Sequence, residues 1–148
     1  MRKIQISGIV VVIAVVCALW WFLQPTPLAP HQTRVAIGDS TVVADIADTE
    51  PLREHGLSGR AKLEEKEGML FVFQADSTYA FWMKDMLFPI DMIWLSNDKR
   101  VVYIVQNASP QSYPASFVPE SPARYVLEVP AGWTVRHNVT IGAQAEWK

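Results

Sequence analysis

The chain has 148 residues, of which half are hydrophobic, and its formal net charge is −2. This length predicts a single domain. The sequence has no basic stripe and no run rich in arginine and lysine, which argues against nucleic acid as a partner. Its one cysteine, Cys17, excludes an internal disulfide framework.

The N-terminus carries a long uncharged segment. Arg2 and Lys3 precede residues 4–23, IQISGIVVVIAVVCALWWFL, which contain no charged side chain. As a helix, twenty residues extend about 30 Å, which is the thickness of the hydrocarbon core of a bilayer. Two tryptophans stand near its far end, where amphipathic rings favour the membrane interface. We therefore expect residues 1–23 to be a retained membrane anchor that contacts the bilayer through residues 4–23.

Two other interpretations of this segment remain. A cleaved signal peptide usually has a shorter apolar region followed by small residues. Here the run ends in bulky side chains, although the Pro-Leu-Ala-Pro at 27–30 leaves cleavage open. A lipoprotein is disfavoured, because Val16 rather than a small residue precedes Cys17. For a retained anchor, the positive-inside rule predicts a single-pass protein of the cell membrane with a cytoplasmic N-terminus and a periplasmic or extracellular domain.

A linker and one folded domain follow the anchor. Residues 24–33, QPTPLAPHQT, are rich in proline and show no hydrophobic period, so we predict a short, stiff linker. Residues 34–148 are then the domain, which is long enough to bury about two-thirds of its unfolded surface.

The domain begins with a predicted hairpin and a predicted helix. Residues 34–47 hold two β-branched runs separated by a turn at Gly38-Asp39-Ser40. Residues 50–56 predict a short helix that ends at Gly56, with Leu52 as its inward anchor.

Short strands dominate the rest of the domain. Strands are predicted at residues 69–73, 79–83, 90–95, 101–105 and 124–129, with a turn at 74–78 and a short helix-like turn and a strand at the end. The proline-containing loop at 107–123 is expected to pack, because disordered tails rarely carry aromatic side chains such as Tyr113 and Phe117. Trp133 and Trp147 are candidates for exposed aromatic residues. The pattern predicts an α+β fold that is mostly antiparallel: a small curled sheet, sandwich or partial barrel with one short helix, preceded by the N-terminal transmembrane helix.

Several blocks of residues in the domain resemble the DUF192 family, also called UPF0127. The blocks are Gly56-Leu57, Arg60 and Leu63, then GMLFVF at 68–73, FWMK at 81–84, Pro89-Ile90-Asp91, YVLE at 125–128 and Ala131-Gly132. The resemblance covers roughly residues 34–147 and implies a compact, mostly β domain, often found in exported or membrane-tethered proteins. It implies no established activity. The chain departs from the family pattern at Asp85-Met86, where Asn-Thr is common, and at Gly142-Ala143, where Gly-Asp is common.

The segment FWMKDMLFPIDMIW at 81–94 places charged residues in an apolar stretch. Strand alternation puts Phe81 and Met83 on one face and Trp82 and Lys84 on the other. A hairpin with a short turn at 85–88 would bring Asp91 close to Lys84.

Three hypotheses account for these charges. The first is a salt bridge that fixes the register of the hairpin. The second is a ligand site in which Arg60 and Lys84 contact an anionic group, Trp82 forms a wall, and Asp91 and Glu128 orient the ligand. The third is a hydrolase or lyase that uses Asp91 and Glu128 as an acid–base pair.

The sequence offers no signal for a metal or a cofactor. The three histidines, His31, His55 and His137, lack the spacing of metal ligands, and glycine-rich phosphate loops are absent. We therefore predict a membrane-tethered, extracytoplasmic binding or interaction module of unknown biochemical role, whose partner is a small anionic ligand or an envelope protein. A catalytic role, and an accessory role in docking on an envelope partner through the proline-containing loop, are the alternatives.

Overall fold

The computed structural model describes residues 31–148 of the chain. The predicted anchor at 4–23 and residues 24–30 of the predicted linker lie outside this range. Within residues 31–148, no helix has the length and apolar character needed to span a membrane. The linker was predicted to reach Thr33, but Gln32 and Thr33 already belong to the first strand, where the Gln32 side chain donates a hydrogen bond to Asp45 Oδ1 at 2.7 Å.

Nine strands and two α-helices form in residues 31–148. The strands are β1 (Gln32–Ile37), β2 (Ser40–Ala47), β3 (Glu67–Ser77), β4 (Phe81–Trp82), β5 (Ile90–Leu95), β6 (Val101–Ala108), β7 (Ser116–Phe117), β8 (Ala123–Pro130) and β9 (Ala145–Glu146). The helices are α1 (Glu50–His55) and α2 (Trp133–Arg136), and a 3-10 turn spans Pro110–Ser112. The expectation of one helix is wrong, because the helix-like turn predicted near the end of the chain forms a full turn of α-helix.

Seven strands form one sheet that curls into a half-barrel, in the order β6-β5-β8-β3-β2-β1-β9. The predicted curled, β-rich architecture is confirmed. The neighbouring strands pair antiparallel except β2 and β3, which are parallel because α1 lies in the crossover between them. The curl brings the β9 end of the sheet back towards β6, where Val101 N donates to Ala143 O at 3.0 Å.

The hairpin of β1 and β2 forms as predicted, and its turn requires glycine. Gly38 has a φ of 59°, and a Cβ at this position would lie 2.2 Å from the carbonyl oxygen of His137. Both the backbone conformation and the close approach of another segment therefore exclude a side chain here.

The sheet buries apolar side chains on both faces. One face packs around Trp133 with Ile93, Leu127 and Val35, and we call this cluster the Trp133 core. The opposite face packs around Trp94, and we call that cluster the Trp94 core; its members include Leu57, Phe71, Met83, Met92 and Val126. The expectation that Trp133 is exposed is wrong: it is fully buried, and its indole N–H donates to Glu65 O at 3.1 Å. Trp147 is partly buried against the same core.

The predicted hairpin between residues 79–83 and 90–95 does not form. Strand β4 pairs with β7 in a separate two-stranded sheet, while both edges of β5 are occupied by β6 and β8. The predicted turn at 74–78 is also wrong, because β3 continues to Ser77, which pairs with Ala123. The loop at 107–123 packs through β7, in which Phe117 lies opposite Phe81.

Candidate functional site

A cleft of about 530 Å³ lies beside the Trp94 core, between α1 and residues 79–86. Its volume is within the range of small-molecule sites, roughly 300–1,000 Å³. The aromatic side chains that line it are Phe71, Phe73, Tyr79, Phe81 and Trp82. The charged side chains that line it are Glu50, Arg53, Glu54, Lys84 and Glu128, with His55 beside them.

One wall of the cleft is α1, which Arg53 fastens to β3. Its guanidinium donates to Asp48 O at 2.6 Å and to Val72 O at 3.0 Å, and it lies 5.2 Å from the ring centroid of Phe73. The predicted inward anchor, Leu52, is wrong, since this side chain is 43% exposed. Leu57, directly after the helix, is buried in the Trp94 core instead.

The opposite wall is residues 79–86, which several contacts hold in place. Trp94 Nε1 donates to Tyr79 O at 2.9 Å, and the Tyr79 ring stacks on Phe73. At the other end of this wall, Ser58 Oγ donates to Lys84 O at 3.0 Å. The main chain of Lys84 is therefore fixed, while its exposed ammonium group has no ion-pair partner among residues 31–148.

The side chain of Glu128 reaches the cleft from the middle of β8. Glu128 lies between Met69 of β3 and Met92 of β5 in the sheet register. It is only 5% exposed, and its Oε2 is the one buried side-chain nitrogen or oxygen atom in the described chain that lacks a hydrogen-bond partner. Burial raises the pKa of its carboxyl group to about 8, and the positive charge of Arg60 counteracts part of the rise.

Arg60 lies outside the lining of the cleft and pairs with Asp45 of β2. Its guanidinium therefore bonds to a carboxylate, while 36% of the side chain is exposed. Burial acts to raise the pKa of Asp45, yet hydrogen bonds from Arg60 and Gln32 bring it below its ordinary value.

Asp91 occupies the opposite face of the sheet. It is fully buried, and Oδ1 accepts hydrogen bonds from Asn107 N at 2.8 Å and Gly132 N at 2.9 Å. Oδ2 accepts from the backbone N–H of Thr134 at 2.9 Å and from its hydroxyl at 2.6 Å. This carboxylate therefore joins β5 to β6 and to the first turn of α2.

The sheet separates the two predicted carboxylates. Asp91 lies opposite Val129, which belongs to the Trp133 core, whereas Glu128 lines the cleft on the Trp94 side. Asp91 and Glu128 therefore share no site and do not form an acid–base pair. Asp91 and Lys84 are likewise not neighbours across a hairpin.

Of the five predicted site residues, the cleft brings together Trp82, Lys84 and Glu128. Arg60 acts on Glu128 only through its charge, and Asp91 is absent. Arg53 and the aromatic walls were not predicted from the sequence. The close spacing of aromatic residues at 71–82 is a signal that could have indicated the aromatic walls. No group of three or more metal-ligating side chains forms within the described part of the chain.

Comparisons with known proteins agree with this architecture. The sequence model of the DUF192 family, described as "Uncharacterized ACR", matches residues 33–147. A crystal structure from Sinorhizobium meliloti 1021, of a protein proposed to be a transcription regulator, is similar with a TM-score of 0.75 and 29% identity; the alignment covers 84% of this chain and 98% of that chain. A protein of unknown function from Novosphingobium aromaticivorans DSM 12444 is similar with a TM-score of 0.72 and 26% identity, over 84% of this chain and 94% of that chain. No curated protein matches the chain.

Proposed function

This chain belongs to the DUF192 family, and on that premise we propose that its domain is a small-molecule-binding module whose ligand occupies the cleft between α1 and residues 79–86. The observation that carries the proposal is Glu128, which lines the cleft and whose buried Oε2 atom has no hydrogen-bond partner. Leaving such an atom unpaired costs about 1–3 kcal/mol. A polar group of a bound ligand would supply the missing partner.

The walls of the cleft support an apolar or aromatic ligand body. Five aromatic side chains line the cleft, and one of them, Trp82, is 54% exposed. Exposed aromatic faces around a few convergent polar groups are typical of ligand sites in proteins. The ligand is therefore expected to be a compact molecule with an aromatic or aliphatic body and at least one hydrogen-bonding group.

The test uses three probes that share one ring system: 2-naphthoate, 2-naphthamide and 2-naphthylmethylamine. The melting temperature of the full chain in detergent is followed by tryptophan fluorescence with and without each probe. A ligand that binds only the folded state raises the melting temperature, and the shift grows with the ratio of its free concentration to its Kd. We expect at least one probe to raise it.

Two tryptophan substitutions locate the binding. Ala80 is exposed and lines the cleft, so A80W fills the cleft without entering the core. Ile141 is 68% exposed and lies outside the lining, so I141W is the matched control. The proposal predicts that A80W abolishes the shift and that I141W leaves it unchanged. It fails if no probe stabilises the wild-type chain, or if A80W responds as the wild type does.

We also propose that residues 4–23 anchor the domain to a membrane as a single pass, with the domain outside the cytoplasm. The support is the length of this uncharged run and the pair of basic residues before it. N-terminal sequencing of the protein isolated from cells is the test. A mature chain that starts between Leu23 and Thr33 would contradict a retained anchor.

The role proposed for the Sinorhizobium meliloti relative is not extended to this chain. Without Arg2 and Lys3 the remainder carries a formal charge of −4. A protein that binds nucleic acid usually presents a basic patch or stripe to the phosphates. The charge thus supports a small molecule rather than a nucleic acid as the ligand.

A further inference from the structure

We propose that the ligands of the cleft are small apolar carboxylates, and that Glu128 binds them by donating its carboxyl O–H to a ligand carboxylate oxygen. This inference rests on the proposed function, since it assigns a ligand class to the same cleft. The proposed ligand is an anion, and binding of a positively charged amine instead is one outcome of the test.

The surroundings of Glu128 favour a protonated carboxyl group. Its cross-strand neighbours on the same face are Met69 and Met92, which offer no hydrogen bond of ordinary strength. The cation whose charge acts on Glu128, Arg60, is already paired with Asp45. A buried carboxyl group without a bonded cation keeps its proton, and burial raises the pKa of Glu128 to about 8.

A protonated carboxyl group is both a donor and an acceptor, which an ionised one is not. Hydrogen bonds from O–H to a carboxylate oxygen are short and roughly twice as strong as those between neutral groups. One proton shared between two carboxyl groups is also the arrangement that stops two like charges from occupying one site. The carboxyl group of Glu128, which lines the cleft, is therefore suited to an incoming ligand carboxylate.

Two positive charges favour an anion in the cleft. Lys84 lines the cleft and has no acidic partner in residues 31–148, and Arg60 acts on Glu128 from the side of β2. The other charged or titratable groups that face this region are Asp45 of β2, Glu50, Arg53, Glu54 and His55 of α1, and Tyr79. Asp45 is neutralised by its ion pair, and the two glutamates of α1 are exposed, where water screens them.

An amine ligand meets the opposite conditions. It would need the ionised form of Glu128, and it would approach two positive groups, Lys84 and Arg60. The two classes therefore differ in the sign of their pH dependence. Carboxylate affinity depends on the protonated form of Glu128 and falls tenfold per pH unit above about 8. Amine affinity depends on the ionised form, so it rises as the pH approaches 8 from below and levels off there.

The experiment is isothermal titration calorimetry of 2-naphthoate and 2-naphthylmethylamine against the full chain in detergent, from pH 6.5 to 9.5. For the wild type, the naphthoate affinity is expected to be flat to pH 7 and to fall about thirtyfold by pH 9.5. E128Q keeps a neutral donor and acceptor at every pH, so naphthoate binds it with a flat profile. K84M weakens naphthoate binding by severalfold at every pH. H31N, a control at an exposed histidine that does not line the cleft, keeps the wild-type profile.

The outcomes separate this inference from the proposed function. If naphthylmethylamine or naphthamide binds and A80W abolishes that binding, while naphthoate does not bind, the carboxylate assignment is overturned and the proposed function stands. If no probe binds, both fail. A naphthoate profile that stays flat to pH 9.5 in the wild type, or that falls equally in E128Q, also overturns the role of Glu128. If E128Q does not fold, the pH dependence of the two probe affinities for the wild type still distinguishes binding of a carboxylate from binding of an amine.

Discussion

Two buried carboxyl groups stand on neighbouring strands and have opposite environments. Asp91 accepts four hydrogen bonds, two of them from Thr134 at the start of α2. Glu128 has a buried oxygen that accepts none. The difference follows from the face of the sheet on which each lies, since backbone N–H groups converge on the Trp133 side while methionine side chains flank Glu128. The first carboxylate is thus a structural group, and the second is the group that we propose for ligand binding.

Replacing Asp91 by alanine is expected to destabilise the fold by about 3–5 kcal/mol, because it leaves three N–H groups and one hydroxyl, all at least partly buried, without their shared acceptor. D91N should cost less but still about 2 kcal/mol, since its amide nitrogen replaces an oxygen that accepts two of these hydrogen bonds. Urea unfolding followed by tryptophan fluorescence measures both. Wild-type stability in D91A would refute the structural role assigned to this carboxylate.

The raised pKa of Glu128 makes stability fall with rising pH. The folded state holds a proton up to about pH 8, whereas the unfolded chain releases it near 4.5. The contribution is therefore complete below pH 4.5 and is lost as the pH rises to 8, by at most about 5 kcal/mol. E128Q lacks this loss, so its stability relative to the wild type should increase between pH 5 and pH 8.5.

Urea unfolding of E128Q and of the wild type at each pH measures this difference in stability. The contributions of titratable groups that both proteins contain cancel in the difference. The pKa of Asp45 is below its ordinary value, so its contribution is lost only as the pH falls below 3.8, outside the window. A difference between E128Q and wild type that does not change with pH would show that Glu128 is ionised in the folded state.

At the scale of elements, local patterns predicted strands well and their partners poorly. Strand β5 has the predicted bounds, and the hairpin of β1 and β2 has the predicted turn, because alternation and Gly38 are local signals. The pairing of β4 with β7 joins residues far apart in sequence, and nothing local distinguishes it from a hairpin of β4 with β5. The predicted hairpin of β4 with β5 wrongly placed Asp91 beside Lys84, so the site was predicted only in part. Strand alternation indicated Trp82 and Lys84, and the family resemblance indicated Glu128.

The pair of β3 and β8 carries Glu128 and requires a glycine at position 68. A Cβ on Gly68 would lie 2.9 Å from the carbonyl oxygen of Glu128. G68A should therefore destabilise the fold by about 1–3 kcal/mol through overpacking. At Gly59 no atom lies within 4 Å of an added Cβ, but φ is 73°, so G59A isolates the backbone cost alone. Thermal or urea unfolding compares them, and a G68A variant as stable as the wild type would contradict this close approach.

At the scale of the whole molecule, the curled sheet gives its two faces different roles. The Trp133 core is closed by α2, the end of β9 and the network around Asp91. The Trp94 core is covered on one side by α1 and residues 79–86, and the cleft lies between these two walls. The sequence could predict a curled β-rich domain from its period-2 runs. It could not predict which face stays open, because that depends on where short elements such as β4, β7 and α2 pack.

The central claim is that the cleft binds a ligand through a neutral Glu128. The most direct measurement is a ¹³C NMR titration of the Glu128 side-chain carboxyl group in the full chain, alone and with 2-naphthoate. The account predicts a pKa of about 8 without the probe and a higher pKa with it, since a bound anion favours the protonated form. A carboxyl group that titrates near its ordinary value of 4.5, and that does not respond to 2-naphthoate, would contradict the account.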